Sequence, residues 1–366
     1  MKIVLIGPVY PYRGGIAHYT ASLSLALQRA GHEVITISFR RQYPAFLYPG
    51  KSDKDPSEDP VRVDAEYLLD PLYPWTWTRV AKKILAVQPD MVLIQWWITF
   101  WGAAFGTLTR FLRRRVKTVY LIHNVLPHEN RVWDRQFARF ALGPAAAFIV
   151  QAPTQRERLL ELLPQAQVHF CNHPVYGRFG KKVISKAEAR QYLGLPSDVP
   201  VFLFFGIVRP YKGLKYLVDA LSRSDKSIHL VVAGEFWENV ALYEKQIASL
   251  GLTKRVTLLN KYIPNEEAHI LFSAADALVA PYVGGTQSGV VELAFGYGLP
   301  AVLTDGIASG MADAEIPLVR VVPAGDATAL AVALSELVGK HTGVPTPPPA
   351  HNDWTQMVKT VEAIKS

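Results

Sequence analysis

FLFFGIVRPYKGLKYL (residues 202–217) runs from an apolar strand through a glycine and two cations into an amphipathic helix. An arginine and a lysine three residues apart, at a strand-to-helix turn, suggest a phosphate site. Arg209 offers a planar fork for two phosphate oxygens, and Lys212 adds a compact charge beside the positive end of the helix. A diphosphate would fit this pair, although a basic pair before a helix is also common in solvated surface turns.

Short apolar runs alternate with helical patterns on both sides of this stretch, which predicts α/β domains with parallel sheets. The strand-like runs before it are residues 3–6, 34–37, 91–94, 118–122 and 147–150. Those that follow are residues 201–205, 228–232, 256–259, 277–280 and 301–303. The alternation is interrupted by CNHPVYGRFG (residues 171–180), which is typical of a connection between domains. We therefore predict two Rossmann-like domains, residues 1–175 and 176–345, facing an interdomain cleft, with a terminal helix at 352–366 that can pack back on the first.

Composition agrees with a two-domain globular protein of the cytoplasm. The chain has 366 residues, of which 49% are hydrophobic and 19% charged. Its single cysteine, Cys171, excludes a disulfide framework and a cysteine-built metal site. The start MKIVLIG lacks the pattern of a secretory leader. A net charge of +8 favours anionic partners such as nucleotides and anionic lipids, and we expect no nucleic-acid partner because no recognition motif is present.

One uncharged stretch, residues 91–109, approaches the length of a membrane span. It begins with the strand-like MVLIQWW and is interrupted by Gln95, Thr99, Gly102 and Gly106. This pattern is typical of a buried strand followed by a helix, which is the structure that we predict.

Four motifs, in order, resemble those of retaining glycosyltransferases of the GT-B fold and family 4 type. They are GPVYPYRGGIAHY (7–19), LIHNVLPHE (121–129), FFGIVRPYKGL (204–214) and PYVGGTQSGVVELAFGYGLPAV (281–302). The resemblance covers nearly the whole chain. It implies transfer of a sugar from a nucleotide-diphosphate sugar to a glycan or lipid-linked acceptor, in polysaccharide or glycoconjugate synthesis, with retention and with neither a metal nor another cofactor.

The resemblance also implies roles for particular residues. Arg209 and Lys212 would bind the donor diphosphate and stabilise the negative charge that grows on it as the sugar bond breaks, and His123 would contact the sugar. The remaining donor-binding positions are Gly14, Gly15, Gly234, Glu235, Tyr262, Ile263, Thr286, Gln287, Ser288, Gly289, Val290 and Glu292. The acceptor-side positions are Tyr12, Arg13, His18, Trp96, Trp97 and Asn124.

The fourth motif departs from the family pattern of two glutamates separated by seven residues. Registering it on its final Gly-Leu-Pro places Gly285 and Leu293 at the two glutamate positions. Glu292 is one position early, a rotation of about 100° on a helix. Glu292 is therefore either a ribose ligand or a helix surface residue, and Thr286 or Gln287 could serve in place of the first glutamate.

For two further groups of polar residues we predict solvated loops. Asp53, Lys54 and Asp55 spell an acidic triplet that binds metal in a different glycosyltransferase fold, but we predict a solvated loop away from every phosphate-binding element and expect no metal. For His128 and Glu129 a solvated loop is also the expectation.

Aromatic and basic residues concentrate in the first domain and predict peripheral contact with the inner face of a membrane, although several of the rings must belong to the core. They are Phe39, Arg40, Arg41, residues 43–48, Trp75, Trp77, Trp96, Trp97, Trp101 and residues 113–115. Two other functions remain open. One is a sugar-nucleotide epimerase or hydrolase on the same fold, and the other is a non-catalytic subunit that binds nucleotide sugars, which the missing glutamates suggest.

Overall fold

A computed structural model describes residues 1–44, 46, 48–127, 131–174, 176, 184–285, 288–309, 319–338 and 354–365. The chain forms two compact units. The first comprises Met1–Pro56, Pro60–Pro174 and Asp353–Ser366, and the second comprises Ser57–Asp59 and Val175–Asn352. Each unit is built on its own sheet of parallel strands, so the predicted class of two parallel-sheet α/β domains is confirmed.

Among the described residues, the first unit has a sheet of seven strands. They are β1 Lys2–Ile6, β2 Glu33–Phe39, β3 Ala65–Leu69, β4 Met91–Trp96, β5 Lys117–Ile122, β6 Ala147–Val150 and β7 Val168–Phe170. The helices between them are α1 Gly15–Arg29, α2 Pro74–Val87, α3 Gly102–Leu112, α4 Asp134–Leu142 and α5 Pro153–Leu162. The strands lie in the order β3-β2-β1-β4-β5-β6-β7.

The described part of the second unit has a sheet of six strands. They are β8 Val201–Phe205, β9 His229–Ala233, β10 Val256–Leu259, β11 Ala277–Ala280, β12 Ala301–Thr304 and β13 Val319–Val322. Its helices are α6 Lys186–Leu193, α7 Leu214–Arg223, α8 Val240–Ser249, α9 Asn265–Ala274, α10 Gly289–Gly296, α11 Asp305–Ala308 and α12 Ala327–Leu337. The strand order is β10-β9-β8-β11-β12-β13, and a final helix, α13 Trp354–Lys365, belongs to the first unit.

Local sequence explains where these elements begin and end. β4 is buried at every position, as expected for a central strand of a parallel sheet covered on both faces. α1 stops before Gly31, whose φ of 84° suits a residue without a side chain. α6 begins with a capping box, in which the Ser185 hydroxyl accepts from the backbone of Glu188 and the Glu188 carboxylate accepts from the backbone of Ser185.

The strand order reverses direction once in each sheet, between β1 and β4 and between β8 and β11. At such a point the loops that follow the two strands run to opposite sides of the sheet, which leaves a crevice at the carboxyl ends of the strands. The loop after β8 contains Arg209 and Lys212. The fold therefore places both cations at the crevice of the second unit.

The uncharged stretch 91–109 folds as predicted. It forms β4, then a short 3-10 helix at Thr99–Trp101, then most of α3. Over the described ranges, every helix is too short or too polar to cross a bilayer.

Three of the aromatic residues with which the sequence predicted membrane contact lie in the interior, whereas Phe46 and Trp75 are exposed. Phe39, Trp96 and Trp101 have no exposed surface, and the Trp101 ring lies 4.4 Å from that of Phe39. Trp97 is half-buried and donates its ring N–H to the Tyr43 hydroxyl. Their large apolar area stabilises the first core, so they are unavailable to lipid.

α13 packs on the first unit through three kinds of contact. The His32 ring lies 3.0 Å from the Glu362 carboxylate, and Lys117 donates to the carbonyl of Ile364 at 2.5 Å. The Trp354 ring lies edge-on to Tyr19 of α1, at 5.0 Å between centroids.

The turn from β8 into α7 depends on Gly213. Its φ is 69°, and a Cβ atom there would lie 2.0 Å from the carbonyl oxygen of Pro281, which follows β11. Gly251, after α8, has the same φ of 69° but no atom within 4 Å of the corresponding position. The two glycines share the backbone strain and differ in the steric contact.

We predict that Gly213→Ala destabilises the second unit far more than Gly251→Ala. The second change should cost about 1 kcal/mol, the ordinary cost of a left-handed alanine, whereas the first must also displace the Pro281 backbone. Amide hydrogen exchange in β8 and β11 measures the opening free energy of this unit separately from the first. Equal losses in the two variants would contradict the prediction.

Candidate active site

The loop after β8 holds Lys212 against the backbone of a glycine. A short 3-10 helix, Pro210–Lys212, turns the chain so that the Lys212 side chain lies over Gly206, where a Cβ atom would be 2.9 Å from Nζ. Gly206 has a φ of 96°, which a residue with a side chain rarely adopts. The glycine thus provides both the turn and the space that the ammonium group occupies.

Lys212 is a buried cation. Only 8% of the residue is exposed, and Nζ lies 5.3 Å from the centre of the Tyr282 ring. In the described part of the chain it forms no salt bridge. Burial lowers its pKa, Tyr211 offsets this in part, and the positive charge of Arg209 lowers it further. An anionic ligand would supply the counter-charge that this ammonium lacks.

Arg209 is held by aromatic rings. Its guanidinium carbon lies 5.5 Å from the centre of the Trp237 ring and 5.9 Å from that of Tyr211. Such contacts are favourable for a planar cation and restrict the orientation of its fork. Arg209 immediately precedes the 3-10 helix Pro210–Lys212, so both cations lie on the same short loop, as a diphosphate site requires.

The loop after β9 packs directly on the loop after β8. A Cβ atom on Gly234 would lie 2.0 Å from the carbonyl oxygen of Gly206, so no larger residue fits this backbone. The Glu235 carbonyl accepts from the amide of Val208, and its buried carboxylate accepts from the ring N–H of Trp237 at 3.2 Å. Gly234 and Glu235 are therefore neighbours of the Arg209 loop.

Other predicted donor residues occupy neighbouring loop ends. Tyr262 and Ile263 follow β10, and Ile263 is buried. Ser288 immediately precedes α10, whose first residues, Gly289 and Val290, carry backbone N–H groups without partners in the helix. Thr286 and Gln287 lie outside the described residues.

The start of α10 also lies against Gly206. The Val290 side chain is 3.6 Å from the point where a Cβ atom of Gly206 would be, on the same glycine that faces Lys212. The amide of Val283 donates to the carbonyl of Tyr211 at 2.8 Å, which joins the loop after β11 to the loop that carries both cations. The positive end of a helix and a buried ammonium thus converge on one point.

Glu292 is buried in α10, so its interpretation as a helix surface residue is wrong. Only 7% of the residue is exposed, and Oε2 has no hydrogen-bond partner among the described residues. Burial raises its pKa to about 8, so the carboxyl group is neutral at pH 7. Negative charge on Glu292 would act on the buried hydroxyl of Tyr176, whose pKa is raised mainly by burial and then by this carboxylate.

His123 follows β5 in the first unit and is fixed by Gln95 of β4. Its Nε2 lies 2.6 Å from Oε1 of Gln95, so Nε2 carries the proton and Nδ1 is an acceptor. Burial lowers the pKa of His123 to about 3, with a further contribution from His173. The imidazole is thus neutral at physiological pH and is suited to hydrogen bonding rather than to proton transfer.

A polar and aromatic cluster around His123 was not predicted from the sequence. Tyr19 contacts the rings of His123 at 4.8 Å and His173 at 5.2 Å, and its hydroxyl accepts from the Gln151 side chain. Gln95 and Gln151 could have indicated this cluster in the sequence, because each is a lone amide within or directly after an apolar strand.

Two predicted acceptor-side residues are part of the core. Tyr12 is 2% exposed and donates its hydroxyl to the carbonyl of Phe39, and Trp96 donates its ring N–H to the carbonyl of Val125. Their assignment to the acceptor side came from sequence position alone, which does not reveal that their polar atoms are already bonded inside the fold.

The other predicted acceptor-side residues are more accessible or lie beside the glycine loop. Arg13 donates to the Tyr48 hydroxyl at 2.9 Å, and Asn124 is half-buried next to His123. A Cβ atom on Gly14, whose φ is 103°, or on Gly15 would meet no other atom within 4 Å, so the backbone of both borders open space. The loop can therefore approach a ligand closely.

The segment Asp53 to Asp55 is not the solvated loop that the sequence suggested. It lies beside the glycine loop, because the carbonyl of Asp53 accepts from the amide of Arg13 and the amide of Asp55 donates to the carbonyl of Pro11. Asp55 is buried, 3.8 Å from His18, whose pKa is lowered by burial despite this carboxylate. Pairing with residues 11–13 draws the segment inward.

We find no group of three potential metal ligands in the described ranges. His128 and Glu129 lie outside them.

The first unit has a cavity of about 650 Å³ beside this segment. Its wall includes Arg40, Lys54 and Arg62, together with Tyr10 and Tyr12. Lys54 lies 3.6 Å above the Tyr12 ring, and the Arg62 guanidinium lies 4.3 Å from the centre of the Tyr10 ring. The wall of the cavity thus includes cations supported on aromatic rings, and it also includes Asp64.

Comparison with known proteins places this architecture in an enzyme class. A family model described as Glycosyltransferase Family 4 matches residues 13–175, and one described as Glycosyl transferases group 1 matches residues 199–340. A phosphatidyl-myo-inositol mannosyltransferase of Mycobacterium leprae is 32% identical over an alignment of 170 residues, and the match covers 43% of this chain. The match spans only 42% of that mannosyltransferase.

Two solved structures share the complete fold. HepE of Anabaena, in complex with UDP and glucose, has a TM-score of 0.73 at 17% identity over 99% of this chain and 98% of its own. Sucrose-phosphate synthase of Thermosynechococcus elongatus has a TM-score of 0.69 at 20% identity over 100% of this chain and 95% of its own. The two-sheet architecture is therefore that of the GT-B glycosyltransferases. Together with the family matches, it shows that the chain belongs to the group 1 glycosyltransferases of family 4.

The neutral state of Glu292 leads to a pH-dependent prediction. Below about pH 4.5, the carboxyl group is protonated in both the folded and the unfolded chain. As the pH rises towards about 8, the unfolded chain ionises and the folded chain does not, so the second unit loses stability. Glu292→Gln abolishes this loss.

We expect the stabilisation of Glu292→Gln over the native chain to grow between pH 5 and 8, reaching on the order of 2 to 4 kcal/mol. Hydrogen exchange in β8 and β11 at a series of pH values measures it. Glu244→Gln, at an exposed position of α8, is the control and should show no such trend. If the stability gained by Glu292→Gln were independent of pH, the conclusion that this carboxyl group is neutral would be refuted.

Proposed function

We propose that the protein transfers a sugar, with retention and without a metal, from a nucleotide-diphosphate sugar to a glycan or lipid-linked acceptor. The observation that carries this proposal is Lys212, a buried ammonium without a salt bridge among the described residues, next to Gly206 and the start of α10. A diphosphate matches this arrangement because it offers charge to the lysine and oxygens to backbone N–H groups.

In the proposed reaction, Arg209 and Lys212 bind the diphosphate. The bond between the anomeric carbon and the phosphate oxygen breaks, and its electron pair passes to that oxygen. The acceptor hydroxyl forms the new bond on the same face and gives its proton to the departing phosphate oxygen. Since charge on the diphosphate increases along this path, the two cations stabilise the transition state more than the bound donor.

His123 would contribute a hydrogen bond rather than a proton. Because burial keeps the imidazole neutral and Gln95 fixes its tautomer, Nδ1 can accept from a hydroxyl of the transferred sugar. Thr286 or Gln287, which lie outside the described residues, would serve in place of the first glutamate of the family motif.

Glu292 would bind the ribose of the donor despite its shifted position in the motif. Its carboxyl group is buried and has one oxygen without a partner among the described residues, and a ribose hydroxyl would supply the missing hydrogen bond. The same contact would lower the cost of ionising the carboxyl group, so donor binding and the charge of Glu292 would be coupled.

The proposed acceptor is a glycan or a lipid-linked molecule that belongs to polysaccharide or glycoconjugate synthesis, at the inner face of a membrane. The net charge of +8 and the cavity lined by Arg40, Lys54 and Arg62 support an acceptor that carries an anionic group. The partial similarity to a mannosyltransferase that is named for a phosphatidyl lipid supports the same class of acceptor.

Lys212→Met should reduce kcat/KM for sugar transfer by about 100-fold to 1000-fold, the effect of removing one group that stabilises a developing anion. The same change should stabilise the unliganded second unit, because it removes a buried and uncompensated charge. Lys215→Met, three residues later at an exposed position, is the matched control and should leave both quantities unchanged.

A panel of nucleotide sugars, followed by thermal melting and by product analysis, separates the competing functions. Transfer to an acceptor with retained anomeric configuration is the expected result. An altered donor sugar, or hydrolysis that no acceptor changes, would instead favour the epimerase or hydrolase. A donor-induced rise in melting temperature without any product would favour the binding subunit. Loss of neither binding nor activity in Lys212→Met would refute the diphosphate site.

A further inference from the structure

α4 exposes a row of aromatic side chains flanked by arginines. Trp133, Phe137 and Phe140 have exposed fractions of 52%, 42% and 39%, and their spacing of four and three residues places them on one side of the helix. Arg135 and Arg139 are exposed beside them. We call these five side chains the α4 surface. Large rings grouped in this way are uncommon on protein surfaces without a partner.

The orientation of the α4 surface is fixed by close packing on α3. A Cβ atom on Gly102 would lie 3.0 Å from Cβ of Phe137, and one on Gly106 would lie 2.4 Å from the Phe140 ring. Since both glycines lack side chains, α4 lies close to α3 and cannot rotate to bury its rings. Asp134, the acidic residue of α4, is buried and bonded to Thr99 and to the amide of Arg131.

Further cations extend the positive charge along α3. The Arg110 guanidinium lies 3.7 Å from the centre of the Phe140 ring and donates to the Phe140 carbonyl. Beyond it, residues 113–115 are three consecutive exposed arginines, next to the exposed ring of Phe111. No acidic residue occurs in the sequence from Arg110 to Pro127. Among the described residues, none of the salt bridges involves Arg110, Arg135, Arg139 or residues 113–115.

We propose that the α4 surface is the site at which the protein binds an anionic bilayer. Aromatic rings are favourable at the depth of the lipid headgroups, and arginines form bidentate hydrogen bonds with lipid phosphates. Because Arg110 contacts the Phe140 ring and Arg135 and Arg139 are exposed on the same helix as the rings, both interactions form at once when α4 lies along the membrane surface.

Charge and ring geometry disfavour the other partners that such a surface could bind. A symmetric dimer through α4 would bring its arginines against the same arginines of the second copy. A nucleic acid would stack bases on open aromatic faces, but Arg110 covers a face of the Phe140 ring. A bilayer requires neither a contact between like charges nor an open ring face, since ring edges can enter the headgroup layer.

The proposal locates a membrane contact and does not depend on the sugar-transfer chemistry. Its test uses the full chain and vesicles of phosphatidylcholine, with or without phosphatidylglycerol. The native protein should sediment with the anionic vesicles and not with the neutral ones, and added salt should weaken the binding. Failure to bind anionic vesicles at low salt would overturn the proposal.

The variant Trp133→Ala with Arg135→Glu should reduce binding to anionic vesicles by about tenfold or more, because it removes one ring and reverses one charge. Its matched control is Leu242→Ala with Lys245→Glu on α8, which changes an exposed apolar residue and an exposed cation of the second unit. The control should bind as the native chain does. Equal losses in the two variants would indicate a general charge effect and would contradict the proposal.

A milder variant, Arg135→Gln with Arg139→Gln, tests the same surface if the first variant unfolds, and should reduce binding by about tenfold. Both variants should keep the native melting temperature and its shift with nucleotide sugars. Retained donor binding with lost vesicle binding separates this proposal from the proposed function. A lipid-free dimer or a nucleic-acid complex that the variants abolish, without any vesicle binding by the native chain, would assign the α4 surface to that partner instead.

Discussion

Backbone contacts that only glycine permits hold the loops of the second unit together. Gly234 lies against the carbonyl of Gly206, and Gly213 lies against the carbonyl of Pro281, at distances that leave no room for a Cβ atom. These contacts bring the ends of β8, β9 and β11 into one compact group. The space above Gly206 is then narrow enough to remove the Lys212 ammonium from water. The burial of the Lys212 ammonium is thus a consequence of backbone packing, and the chemistry of the site depends on it.

Burial gives three ionisable groups charges or pKa values that differ from those of free side chains. Lys212 has its pKa lowered, Glu292 is neutral at pH 7, and His123 does not become protonated at physiological pH. The buried states of Lys212 and Glu292 raise the free energy of the unliganded protein. The neutral state of His123 limits the chemistry that this residue can perform. A ligand with a diphosphate and several hydroxyl groups would relieve the first two costs, so part of its binding energy would come from the protein's own unsatisfied groups.

The alternation of apolar runs was sufficient to predict both sheets, because a parallel strand buried on both faces has a distinctive composition. Motif positions were sufficient to place Arg209 and Lys212 at the end of β8. Burial was harder to predict. The sequence alone gave no sign that the Tyr12 hydroxyl and the Trp96 ring N–H are bonded inside the core. The inward position of Glu292 depends on how α10 packs, which its sequence register does not determine.

The exposure of the α4 surface was also difficult to predict from the sequence. Its rings follow a helical spacing that usually marks a core face, and only the glycines of α3 explain why they remain outside. Asp55 likewise became buried through pairing with a distant segment. In each case the deciding contact joins residues far apart in the chain, beyond the reach of local pattern.

The return of α13 to the first unit affects how the protein can be made. Trp354 contacts Tyr19, which in turn contacts His123, and Met357, Val361 and Ile364 are buried. Residues that complete the surroundings of His123 thus follow the second unit in chain order. The second unit is synthesised in full before the first can close, and a chain cut before Trp354 would expose an apolar face of α1.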